Sequence, residues 1–130
     1  MVREYDESKI PSVYNLGDAP PVRQEPGLTQ VVFRGIDQMV GYTVIEPEKE
    51  DTPTHTHPWE QVNVLVEGRL DFLIDDERVS LQQYDVLVIP PEVEHTALAV
   101  SDEPALLLAM WPLREDLLPG TEYQSEFSSE

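Results

Sequence analysis

The chain has no cysteine, which excludes disulfides and thiolate chemistry. Lysine occurs only at positions 9 and 49, and histidine only as His55, His57 and His95. No apolar run is long; Ala105–Trp111 falls well short of the roughly 20 residues that span a bilayer. The N-terminal stretch MVREYDESKI is charged and polar, unlike a secretion leader, so the expected compartment is the cytoplasm, with no membrane partner. Positive charge is scarce: 8 Lys and Arg against 26 Asp and Glu leave a formal net charge of −18. Such a surface repels phosphate backbones, so nucleic acid is not an expected partner. Abundant acid with little lysine is also what a salt-loaded cytosol selects.

What is present is a β pattern. The 130 residues fit one domain. Residues 1–27 carry Pro11, Pro20, Pro21 and Pro26, which cannot donate to a ladder, so an extended N-terminal arm is expected there. Short β-branched runs then alternate with turn signals, predicting strands at 29–34, 41–46, 61–66, 70–74, 78–81, 86–89, 95–100 and 105–111. A further short piece falls at 55–57. Eight or so strands at this spacing point to an all-β sandwich or small barrel over 28–113. Residues 114–130 read as a short helical turn and an acidic tail.

The three histidines carry the chemistry. Strand side chains alternate, so His55 and His57 of the stretch THTHPWEQ point the same way. Continued alternation brings Gln61 to their face and sends Glu60 to the other. Asn63 and Leu65 follow on the inner face, and Val62, Val64 and Val66 form an outer apolar stripe that needs a cover, the arm or a second subunit. His95 opens a later strand after the paired prolines Pro90 and Pro91. A folded-over sheet can face it to the first pair. Three imidazoles and an amide oxygen then make a partial shell for one divalent ion such as Zn, Ni, Mn, Fe or Co. The open positions of such a shell serve water or substrate.

These residues resemble the motifs of the cupin superfamily. The first motif, G-x5-HxH-x3,4-E-x6-G, is matched by THTHPWEQVNVLVEG at 54–68, and the second, G-x5-PxG-x2-H-x3-N, by YDVLVIPPEVEHTAL at 84–98. Gln61 replaces the motif glutamate, and Tyr84 and Glu92 replace its glycines. The resemblance implies a double-stranded β-helix, or jelly roll, and a metal held by His55, His57, Gln61 and His95. A narrower resemblance joins HPWEQVNVLVEGRLDFLID, IPPEVEH and WPLREDLL to the small cupins that linearise 4,5-unsaturated uronates in pectin and alginate breakdown. Those enzymes place an acid six positions before the arginine of the last motif and an aromatic four before it; here these positions are Leu108 and Met110.

The expected function is a metal-dependent isomerase or ring-opening enzyme acting on a small sugar acid or keto acid. Arg114 would hold the substrate carboxylate through its bidentate fork, and Glu60 is the candidate for proton transfer. The alternatives are an Fe(II) dioxygenase and a small-molecule binding module without turnover. The valine face and the arm together imply a homodimer.

Overall fold

The computed structural model of the chain describes residues 13, 15, 17, 21–35 and 37–113. Arg114, the expected helical turn, the acidic tail and most of the N-terminal arm lie outside the described residues. Nine strands follow in order: β1 (Arg23–Glu25), β2 (Leu28–Arg34), β3 (Gln38–Ile45), β4 (Gln61–Glu67), β5 (Leu70–Ile74), β6 (Glu77–Leu81), β7 (Val86–Ile89), β8 (His95–Ala99) and β9 (Ala105–Pro112). Eight of them fall on the stretches that β-branched composition predicted. The addition is β1, inside the proline-rich arm, where it pairs with β2 at the edge of a sheet. That is the location that tolerates neighbouring prolines.

All strand pairs are antiparallel and form two sheets, β1-β2-β3-β9-β4-β7 and β6-β5-β8. The sheets face each other as a jelly roll, as the sequence motifs imply. Opposed residues in an antiparallel pair share a face, so the inner rows of the large sheet can be read across it. Gly41, Ala109 and Asn63 make one such row, and Thr43, Leu107 and Leu65 make the next. At Gly41 a Cβ would lie 3.0 Å from the Trp111 ring, so a larger residue there requires the ring to shift by a few tenths of an ångström.

One end of the barrel is filled by Leu28, Ile45, Leu65, Leu70, Phe72, Leu81, Ile89, Ala105 and Leu107. Burying each large side chain of this set contributes about 1.5–3 kcal/mol. A smaller group, Val22, Val32, Met39, Ala109 and Trp111, packs with Trp59 nearer the other end. Outside, Val62, Met110 and Val40 align across three strands, as do Val64, Leu108 and Tyr42. The neighbouring edge strand leaves Val86 and Val88 59% and 50% exposed. The outer apolar stripe inferred from three valines is therefore a face four strands wide.

The turns show how the missing glycines are replaced. Asp75 and Asp76 both have positive φ, at 47° and 71°, and close the β5–β6 hairpin as a two-residue loop. Tyr84 has φ 74° and is the third residue of a turn closed by the Asp85 amide on the Gln82 carbonyl at 3.0 Å. Glu92 has φ 70° and follows Pro91 in a turn where the Val93 amide meets the Pro90 carbonyl at 3.4 Å. Positive φ at the third position is the type II signature, which usually selects glycine. The backbone of both motif turns is thus left-handed, although the residues are tyrosine and glutamate.

Candidate metal centre

The site forms where the two sheets meet at the open end. His55 and His95 are clamped main chain to main chain: the His55 amide donates to the His95 carbonyl at 3.0 Å, and the His95 amide donates back at 2.9 Å. The short piece expected at 55–57 is this single bridge. The Glu92 amide holds the His57 carbonyl at 2.8 Å, so the left-handed turn of the second motif grips the first motif. Gln61 opens β4 beside them. One ligand atom of each histidine lies within 4.8 Å of the others.

Hydrogen bonds orient the rings. Nδ1 of His95 lies 2.9 Å from the Val93 carbonyl and Nδ1 of His57 lies 2.9 Å from the Trp59 carbonyl. A carbonyl only accepts, so both Nδ1 atoms carry a proton, and Nε2 is the nitrogen that each ring can offer a metal as a lone pair. His57 also stacks on Trp59, with ring centroids 4.6 Å apart and planes 8° from parallel. His95 is buried at 2% exposure, and its Nε2 has no hydrogen-bond partner. A buried acceptor left without a donor costs roughly 1–3 kcal/mol. An inward lone pair so placed suits a cation, and the donor set of three imidazoles matches borderline divalent metals.

Electrostatics favours the neutral form of His55 and His95. Desolvation at the mouth is the largest influence on His55, followed by repulsion from His95, His57 and Arg23; together they push it down to about 4. Burial also lowers His95, opposed by its bond to the Val93 carbonyl. Neutral imidazole is the metal-binding form.

Gln61 joins the histidines, as strand alternation expects: its Oε1 lies 3.1 Å from His57 Nε2. Glu60 is exposed, on the opposite parity from Gln61. Arg114 is outside the described residues. Leu108 and Met110, the positions compared with the family's acid and aromatic, align with Val64 and Val62 on the outer apolar face. The residues of β9 on the inner face are Leu107, Ala109 and Trp111, so an acid at 108 would point away from the histidines. Gln30, Thr43, Gln61 and Asn63, which hydrogen-bond inside the barrel, are neutral, while Arg34 shares the inner parity of its buried partner Met39. Sequence reading passed over Arg23, whose charge reaches both His55 and Lys49. Its register with Gln30, which bonds Thr43, puts it on the inner parity. The signal available was weak, a three-residue strand among prolines.

The family model for the cupin domain matches residues 41–111, more than half of the chain. The chain is a cupin. No curated protein matches it. Among solved structures this cupin is similar to KdgF from Halomonas sp., at 22% identity over 84% of this chain and 100% of that one, with a TM-score of 0.70. It is similar to a sugar phosphate isomerase of the cupin superfamily from Silicibacter pomeroyi, at 18% identity over 68% of this chain and 61% of that one, with a TM-score of 0.62. An RmlC-like cupin from Shewanella frigidimarina matches at 24% identity over 71% of this chain and 82% of that one, with a TM-score of 0.55. At these identities the likeness establishes the fold. The cupin motif histidines are the three that converge here.

Proposed function

We propose that this cupin binds one divalent metal ion through His55, His57, His95 and Gln61 and isomerises or ring-opens a small sugar acid or keto acid. The observation that carries the reading is the inward convergence of three imidazoles, one of them buried with an unpartnered Nε2. A metal bound there would supply Lewis acidity towards a carbonyl or ring oxygen. The chain's own residues do the rest. His55 is exposed at the rim and His95 is buried beneath it, so the three ligands span from solvent to interior. Trp59 fixes the His57 ring by stacking and by its carbonyl. Arg114 is assigned to the substrate carboxylate and Glu60 to proton transfer. Similarity to a sugar phosphate isomerase and to KdgF, and the sequence likeness to uronate-linearising cupins, support this substrate class.

The outward position of Leu108, which leaves no acid of β9 facing the histidines, favours a second reading: metal-assisted binding of a small carboxylated ligand without turnover. The homodimer belongs to the same proposal. The outer sheet face carries Val40, Tyr42, Val62, Val64, Val86, Val88, Leu108 and Met110 and no charge on these positions. On a chain of net charge −18, an uncharged sheet face is where two copies approach with least repulsion.

The test is elemental analysis of untagged wild type and of His57→Ala, followed by incubation with 4,5-unsaturated uronates while their ultraviolet absorbance is followed. About one metal per chain, lost in the variant, with decay of absorbance, supports the enzyme. Metal and ligand binding without decay supports the binding module. No metal after reconstitution with Zn, Ni, Mn and Fe(II) overturns both.

A further inference from the structure

The hydrogen bonds beneath the histidines have a direction, and it is set from main-chain carbonyls at both ends. Asn63 is fully buried, at 0% exposure, one inward position below Gln61 on β4. Its Nδ2 donates to the Leu87 carbonyl of β7 at 3.4 Å. A carbonyl cannot donate, so the Asn63 amide is turned with Oδ1 towards Gln61. Gln61 answers with Nε2, which donates to Asn63 Oδ1 at 2.9 Å. That leaves Gln61 Oε1 aimed at His57 Nε2, 3.1 Å away. From the other side, the Trp59 carbonyl takes the His57 Nδ1 proton. The two chains of bonds therefore meet acceptor to acceptor. In the deprotonated imidazole that binds metal, these are two lone pairs at hydrogen-bond distance, which repel unless a cation lies against both.

We propose that Asn63 is a positioning residue for the metal centre: it holds the Gln61 amide with its oxygen, and not its nitrogen, towards the three histidines. The inference rests on the metal-binding reading of the site. Without Asn63, Gln61 has no internal acceptor for Nε2, and a flipped amide lets Nε2 donate to the His57 lone pair. That neutral Gln–His bond satisfies both groups and removes one oxygen from the centre. Asn63 thus excludes a metal-free arrangement in which the site closes on itself.

The test uses the full chain with Co(II) as probe. Affinity is measured by chelator competition and ligand number by the visible spectrum, for wild type, Gln61→Met, Asn63→Ala and Asn63→Asp. Asn63→Ala is expected to weaken Co(II) binding about 10–100-fold, the usual loss for an outer partner of a metal ligand. Its spectrum should move to that of Gln61→Met, and the double variant should bind no worse than Gln61→Met alone. Asn63→Asp still accepts from Gln61 Nε2 and should keep the wild-type spectrum. A wild-type spectrum in Asn63→Ala, with Gln61→Met shifted, overturns the proposal. In metal-free protein, the Gln61 side-chain amide protons should be protected in wild type and Asn63→Asp and exchange freely in Asn63→Ala. Equal protection in wild type and Asn63→Ala also overturns it. This second readout stands even if wild type takes no Co(II), the outcome that would defeat the metal reading itself.

Discussion

The two ends of the barrel obey opposite rules. At the closed end, Leu65, Leu70 and Phe72 are buried against other hydrocarbon and leave no polar atom to satisfy. At the open end, His95 and Asn63 are buried just as deeply, yet hydrogen bonds orient His57, His95, Gln61 and Asn63, and the His95 Nε2 is left without a partner. A strand such as β4 takes part in both, with Leu65 in the core and Gln61 at the centre. The lesson is that the jelly roll separates stability from chemistry along the length of its strands and not between strands. One row, Asn63 with its small partners Ala109 and Gly41, lies between the two.

The largest effect should come from the closed end. Leu65→Ala is expected to cost about 2–5 kcal/mol in denaturant unfolding. Metal per folded chain should stay as in wild type; a loss of metal along with stability would break the division. Next, saturating metal at a hundred times its Kd should stabilise wild type by about 2.7 kcal/mol over chelator-treated protein in thermal melts. His55→Ala should erase this increment and leave the chelated melt where it was, because His55 is exposed at the rim.

A third prediction concerns the small sheet. Burial raises the Asp71 carboxyl, but hydrogen bonds from Arg78 and Ser80 and the charges of Arg78 and Arg69 outweigh it and leave the group below its ordinary 3.8. A depressed carboxylate stabilises above its unfolded value and loses that contribution as pH falls through the folded one. Melting temperature between pH 5 and pH 2 should therefore fall more steeply in wild type than in Arg78→Met. Since Arg78 is 58% exposed, the pair is worth at most about 1 kcal/mol. Parallel slopes would sink the assignment. The smallest effects belong to one turn at each end. A left-handed residue costs about 1–2 kcal/mol and glycine gives back part of this in unfolded-chain entropy. Tyr84→Gly and Glu92→Gly should each stabilise by up to about 1 kcal/mol in chemical denaturation. If only Tyr84→Gly does so, Glu92 earns its place at the mouth by something other than backbone geometry.

Much of this was legible in the sequence because period two is a strong signal. It placed His55, His57 and Gln61 on one face and Glu60 on the other, and it located eight strands. The paired motifs supplied the jelly roll and brought in His95. At β9 the family comparison gave the position of Leu108 but not its face; the structure turns 107, 109 and 111 inward. Counting along a strand fixes which residues share a face, but only cross-strand register shows which face is inside. Strand β1 was hidden because its three residues, RQE, sit among prolines and carry no hydrophobic alternation. The direction of the Asn63–Gln61 chain was invisible for a different reason: composition names an amide, while only its neighbours decide which end faces where.

The main-chain bridge between His55 and His95 also bears on time. It joins residues far apart in sequence, and such contacts form late because the loop between them must first be closed. The histidines cannot converge until β4 to β8 have been laid down and the two sheets have met. Capture of the proposed metal would then be a clock that starts only at closure, so the rate at which a refolding chain takes up Co(II) should match its slowest step and lag behind the first appearance of β structure.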